Sequence, residues 1–524
     1  MAEALELAFK ANPSLSGQQA RTRAADEGVT QAKAAYGPSI DATANYTYRR
    51  EVRDEVTGSE SEGASSGYAV TLSQPLLTFG RLDADVGIAN ADRLAAREQL
   101  RLIEQSVTAE AVLSYVGVRR DLAIYGVRLQ IAALLKEQAD FTQKRYHLRA
   151  ATLTDLEQIN NQRQIADALA QEALATLEAS ANEYRRVVGR YPGELAPLPP
   201  SPVLPPLESL LSSADQLSPQ NRIAAYSENG ARQLVALRRA ERMPVVSAQL
   251  GASNDPLTQF ADDNRAMRSF AGVSVSVPLF RGGQLGSRIR EASELAQAAR
   301  FDREEVRRTV RNNVSSNWSQ AQAAARVAPV YAQAVASGEA ALRSARKQER
   351  AGLRTSREVI DITNDLLQAR INAINAAANG YSASTLALFE AGLLDPSLFG
   401  ASVTRYDPDA YDPFFNGFAG LPLRPILGPI DSLFVASRTD DLVVYYENSE
   451  TWKAPKPRIE IRIEEILNSN RADDADKFPT PRFDTRSPDA TDQPSGPVPL
   501  DIIEDVKDLV PIPYIEVLPT KSTP

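Results

Sequence analysis

One register runs through most of this chain. Pro75-Leu76-Leu77 closes an alternating strand and leads into Gly80-Arg81-Leu82 and a long helical run; Pro278-Leu279-Phe280 closes another and leads into Gly283-Gln284-Leu285 and a second such run. The offset, 278 − 75 = 203, also carries Tyr115 onto Trp318, Thr152 onto Thr355, Asp155 onto Glu358 and Leu156 onto Val359. A single offset across two strand-to-helix junctions and two helix pairs marks an internal duplication, so the fold must be built from two copies of one unit. Further upstream the offset is 206: Asn12-Pro13 matches Ser218-Pro219, and Pro38 matches Pro244. The difference of three residues implies a small insertion or deletion inside the strand pairs. Asn12 and Ser218 each precede a proline, the pattern of a capping side chain followed by proline at the first helical position.

Four segments alternate with period two. Ile40, Ala42, Ala44, Tyr46 and Tyr48 share one face against Asp41, Thr43, Asn45, Thr47 and Arg49. Tyr68, Val70 and Leu72 oppose Ala69, Thr71 and Ser73; Val246, Ala248, Leu250 and Ala252 oppose Ser247, Gln249 and Ser253; Ala271, Val273, Val275 and Val277 oppose Gly272, Ser274 and Ser276. The polar stretches Asp54 to Gly67 and Asn254 to Arg265 read as exposed hairpin loops. Such a sheet either rests one face on a soluble core or turns it to lipid while the polar face lines water. Four strands cannot close a barrel, which needs about eight, so the membrane reading requires several chains to pool strands.

The helical runs are long. Leu82 to Arg145 contains no proline and is expected to turn near Leu148 to Thr154 and return through Arg185. The second run, Leu285 to Arg346, turns near Gly352 and returns to Phe389, with Pro329 expected to kink or interrupt it. Recurrent alanines, as in Ala109, Ala111, Ala321 and Ala323, allow close helix approach without a thick core. The chain divides into a first repeat (1–196), a proline-rich linker (197–206), a second repeat (207–400) and an acidic, proline-rich tail (401–524) that reads as extended or disordered.

Composition narrows function. The chain has no cysteine and one histidine, His147, which removes thiolate and multi-histidine metal sites and leaves no marked catalytic triad; no cofactor and no enzymatic activity are expected. The net charge of −9 resides in the tail, where 13 Lys+Arg stand against 22 Asp+Glu; the body is neutral, which disfavours nucleic-acid binding. No apolar run of about 18 residues exists for a membrane helix. The start, Met1-Ala2-Glu3-Ala4-Leu5, lacks secretory signal features, so a signal is expected to have been removed or to lie upstream, unless the protein stays inside the cell.

Over residues 2–395 the order of Asn12-Pro13 helix, strand pair, Pro75-Leu76-Leu77 with Gly80, long hairpin, linker, and the whole again with Pro278-Leu279-Phe280 and Gly283 resembles the TolC-type outer-membrane efflux protein family. The resemblance implies an α+β membrane protein: a homotrimer with a 12-stranded outer-membrane β-barrel continued by a periplasmic α-helical barrel. It implies a passive exit duct for type I protein secretion or drug efflux, partnered by a periplasmic adaptor (membrane fusion) protein and an inner-membrane ABC or proton-driven transporter. By the same resemblance Glu358 and Asp361 form acidic rings at the tunnel constriction, and Asp155 and Arg354 form a gating ion pair. Leu148, Arg149, Gly352 and Leu353 mark the hairpin turns that dock the adaptor. Two positions depart from the family: Glu349 stands where an aromatic partner is common, and Arg149 replaces the first turn glycine. The alternative from another class is a soluble periplasmic coiled-coil scaffold or adaptor.

Overall fold

A computed structural model describes residues 1–411, except 55–58 and 259–260. The elements follow in two matching series. The first is α1 (Ala2–Ala11), α2 (Pro13–Ala34), β1 (Ser39–Asp54), β2 (Ser59–Leu77), α3 (Arg81–His147) and α4 (Leu153–Val188). The second is α5 (Leu207–Leu217), α6 (Pro219–Ala240), β3 (Val245–Thr258), β4 (Ala261–Ser276), α7 (Gln284–Arg350) and α8 (Ser356–Glu390). Helices α3 and α7 both have 67 residues, about 100 Å at the α-helical rise, and α2 and α6 both have 22.

Local chemistry explains most element ends, and it corrects three expectations. Asn12 caps α2 by accepting from the Ser14 N–H at 2.9 Å, but the Ser218 side chain makes no such bond to α6. Pro329 lies inside α7 and the helix runs through it unbroken. The missing N–H removes one ladder bond, which lateral packing against α8 along the hairpin outweighs. The stretches expected as loops are largely strand: β1 reaches Asp54, β2 starts at Ser59, β3 reaches Thr258 and β4 starts at Ala261. Backbone pairing continues past the alternating segments because it needs no apolar side chain.

The four strands form one antiparallel sheet in the order β1-β2-β3-β4. Its two outer edges, on β1 and β4, have no strand partner among the described residues. The helices form a single row beneath it. Toward the sheet the order is α2-α3-α6-α7, and toward the hairpin turns it is α4-α3-α8-α7, as the packed pairs require. The row is therefore also open at two edges, α2/α4 and α7.

The largest apolar cluster lies at mid-height, where α1 and α5 brace the long helices. It joins Leu5, Val112, Tyr115, Tyr184, Leu210, Val310 and Tyr381. Two register-matched aromatics hold the linker there: the Tyr115 hydroxyl donates to the Ala196 carbonyl at 2.7 Å, and Trp318 Nε1 donates to the Pro205 carbonyl at 3.2 Å. After α8 the chain crosses this belt through Gly392 (φ 73°), where a Cβ would strike the Leu217 carbonyl, so glycine is required. It then climbs beside α2 and α3. Arg97 pairs with Asp409 at 2.7 Å and Asp26 at 3.3 Å, and the Tyr411 hydroxyl donates to Glu27 at 2.7 Å. The tail from residue 412 lies outside the described residues.

Candidate functional site: a two-faced sheet and two hairpin tips

The strand register decides which side chains share a face. Ile40, Leu72, Leu250 and Ala271 stand in one row across all four strands, and Ala42, Val70 and Ala252 in the next. This apolar face is uncovered: Ile40, Tyr46, Tyr48, Tyr68, Val70, Leu250, Val273 and Val275 are all exposed. A face of this kind in water would be an aggregation surface. The opposite face carries rows such as Ser39, Ser73, Gln249 and Gly272, or Thr43, Ala69, Ser253 and Arg268. One aromatic interrupts it: Phe270 pairs with Gly251, and its ring occupies the space a Gly251 side chain would need.

At the far end the two hairpins turn by the same backbone device. The Arg149 N–H reaches the Tyr146 carbonyl at 2.9 Å and the Ala150 N–H reaches the Arg145 carbonyl at 2.8 Å; Gly352 and Leu353 repeat these bonds to Glu349 and Gln348, both at 2.9 Å. These are Schellman closures, which need a left-handed residue. Gly352 supplies it at φ 74° without strain, whereas Arg149 adopts φ 56° despite its Cβ. Leu148 and Leu353 are left exposed at the turns.

Each returning helix starts with a capping box. Asp155 accepts from the Thr152 N–H at 3.0 Å and its hydroxyl at 2.7 Å, and the Thr152 hydroxyl accepts from the Asp155 N–H at 3.1 Å. The Thr152 backbone N–H, then its hydroxyl, hold the Asp155 carboxyl below its usual range, with Arg145 adding a smaller effect. Thr355 and Glu358 repeat the box with longer bonds of 3.4 Å. Within the single chain Asp155 and Arg354 form no ion pair; Arg354 is exposed beside the turn. Asp361 is exposed one turn beyond Glu358, with Val359, Ile360 and Thr363 buried on the other side.

Two further residues belong to this tip. Asp365 is exposed and continues the stripe of Glu358 and Asp361 at i+7, a spacing visible in the sequence but not exploited there. The register-matched positions of the first copy are Asp155, Gln158 and Gln162, so the stripe belongs to the second copy. Glu349 is only 4% exposed; its carboxylate accepts from Gln138 Nε2 at 2.5 Å and Ser356 Oγ at 2.7 Å. It thereby ties α3 to the α7–α8 turn, and no sequence signal reveals that burial. Beneath it Ile131, Leu135, Leu156, Ile159, Ile360 and Leu367 form an apolar cluster joining both hairpins.

The chain thus pairs a sheet that has an uncovered apolar face with a helical wall that ends at the two hairpin turns. A sequence model described as outer membrane efflux protein matches residues 4–185 and 210–389, the two repeats without their linker. The chain belongs to the outer membrane efflux protein family. Among related proteins, it is 29% identical over 412 residues to the outer membrane efflux protein BepC of Brucella suis, covering 78% of this chain and 88% of that protein. It is 24% identical over 392 residues to the outer membrane protein TolC of Escherichia coli, covering 70% and 77%. The solved structure of the outer membrane protein VceC from Vibrio cholerae superposes with a TM-score of 0.63 at 19% identity, covering 74% of this chain and 95% of that one. That likeness is one of fold, and it covers both repeats of the efflux-family unit.

Proposed function

We propose that three copies of the chain close into an outer-membrane channel that performs no chemistry. Three times four strands gives a 12-stranded barrel with its apolar face on lipid and its polar face on water, continued by a helical tunnel into the periplasm. The observation that carries this reading is that both layers are open on the same two sides: β1 lies above α2/α4 and β4 above α7. Bare strand edges of 16 residues each call for partners, and β4 of one copy against β1 of the next supplies them at both levels at once. A soluble scaffold would leave the apolar sheet face without cover.

In this channel Glu358 and Asp361 line the narrow tip as acidic rings, with Asp365 behind them. Asp155 and Arg354 pair between neighbouring hairpins to hold the tip shut, and Leu148, Arg149, Gly352 and Leu353 dock a periplasmic adaptor. The adaptor joins the channel to an inner-membrane ABC or proton-driven transporter, which selects the cargo, a secreted protein or a small molecule. The test is heat-modifiable trimer migration together with single-channel recording in planar bilayers. Cation-selective conductance that falls toward neutrality in E358Q/D361N, and rises in size in R354E, is expected; a soluble monomer without conductance would overturn the reading.

A further inference from the structure

The junction where the sheet meets the helices is built differently in the two repeats. In the second repeat, residues 238–245 and 278–291 carry Arg238, Arg239, Arg242, Arg281, Arg288 and Arg290 against Glu241 and Glu291. The register-matched stretches 32–39 and 75–88 carry Lys33 and Arg81 against Asp83 and Asp85. One junction is thus strongly basic and its copy is neutral.

The basic junction is also uncovered. Glu241 is already taken by Arg238 at 2.5 Å and Arg288 at 3.6 Å, a link that sets the end of α6 against the start of α7. Arg239, Arg242, Arg281 and Arg290 are exposed and have no ion pair among the described residues. Arg290 folds back along α7, its Nη1 lying 3.6 Å from where a Gly286 Cβ would sit, which aims the guanidinium toward the sheet. Beside these charges Leu279 and Phe280 are 92% and 86% exposed, continuing the apolar face of the sheet beyond Val275 and Val277.

We propose that this junction is a docking belt for anionic phospholipid in the periplasmic leaflet: Leu279, Phe280 and Met243 enter the acyl region while Arg239, Arg242, Arg281 and Arg290 meet headgroup phosphates. The proposal rests on the reading that the sheet spans a membrane. Guanidinium and phosphate match in charge and in donor geometry, and basic side chains flanking an apolar membrane face are attracted to anionic headgroups. A second copy offers a poorer complement. The matching edge it would bring contains Lys33 and Arg81, and Asp83 there already accepts from the Tyr36 hydroxyl at 2.5 Å.

The experiment reconstitutes the full chain into nanodiscs of equal phosphatidylglycerol and phosphatidylcholine and quantifies the lipid retained after mild detergent extraction. Wild type is expected to retain phosphatidylglycerol in excess by roughly threefold to tenfold, reduced by salt. R239Q/R242Q/R281Q/R290Q should lose that excess, each half-set, R239Q/R242Q or R281Q/R290Q, part of it, and K33Q/R81Q none. Equal retention of the two lipids by wild type, or an excess unchanged in the quadruple variant, overturns the proposal. A variant that loosens the trimer while keeping the lipid excess also overturns it, by assigning the junction to a neighbouring copy. Failure of the chain to enter nanodiscs at all would instead strike the membrane reading itself.

Discussion

Helices α3 and α7 have the same length and the same place in the repeat, yet 25 residues of α3 are buried against 7 of α7. The difference is position in the row. Helix α3 lies between α2/α4 and α6/α8, while α7 has neighbours on one side only. The same contrast holds at the junctions, where Pro75-Leu76-Leu77 is partly covered and Leu279-Phe280 is bare. Duplication supplies equivalent parts, and lateral order makes one copy the interior of the chain and the other its edge.

The contrast is broken most severely at the matched aromatics. Tyr115→Ala removes a 2% exposed ring that lies 6.4 Å from Tyr184 and holds the linker, and is expected to cost about 3–5 kcal/mol. Trp318→Ala, at the half-buried edge, should cost clearly less; thermal unfolding midpoints of the two variants in detergent compare them. If Trp318 proves as costly, α7 is as deeply buried in the assembly as α3.

A second comparison sets Glu349 against its register match, Tyr146. Glu349→Ala leaves Gln138 and Ser356 without their buried acceptor and should cost about 1–3 kcal/mol, whereas Tyr146→Ala at an exposed ring should stay within about 0.5 kcal/mol. Protease susceptibility at the hairpin turns reports both, rising in the first variant only.

The third concerns pH. Burial pushes the Glu104 carboxyl up to about 7, assisted by Asp395 and opposed by Arg405 and Arg101, while its register match is the exposed Arg307, paired with Asp215 at 3.2 Å. A raised acid binds its proton more tightly folded than unfolded, so its effect on stability is favourable below about 4.5 and declines as pH rises to about 7. Glu104→Gln should flatten that decline in a series of melting curves, and Arg307→Gln should leave it in place.

The smallest effect sharpens the likeness between copies. Arg149→Gly relieves a left-handed residue and is expected to stabilise the first tip by about 0.5–1 kcal/mol, against a similar loss for Gly352→Ala. Melting temperatures moving in opposite directions would show that the two turns share one backbone geometry.

Much of this was legible beforehand. The offsets of 203 and 206 locate both copies, and the first hairpin is longer by three residues, as Ser39 to Pro75 and Val245 to Pro278 require. Alternation identified the apolar rows but ended too early, because strand pairing outruns the apolar band. Pro329 does not interrupt α7, because a propensity speaks of one ladder bond and not of the helix packed alongside. Phe79 and Arg149 take left-handed angles of 51° and 56° where the second copy has Gly282 and Gly352, so the turn geometry is retained even without its favoured residue. At the tip, the carboxylates of Asp155 and Glu358 were visible, but their capping bonds required the turn to be built.

By itself the sequence determined the repeat, the period of each element and the Asn12 cap that starts α2, since these are written in sequence register and in neighbours a few residues away. Only the tertiary structure decided that α3 is interior and α7 an edge, that Glu349 is buried beneath Gln138, and that the basic junction of the second repeat is left bare. Those outcomes depend on which elements lie side by side across two hundred residues, and side-by-side order is set by the packing of the whole row.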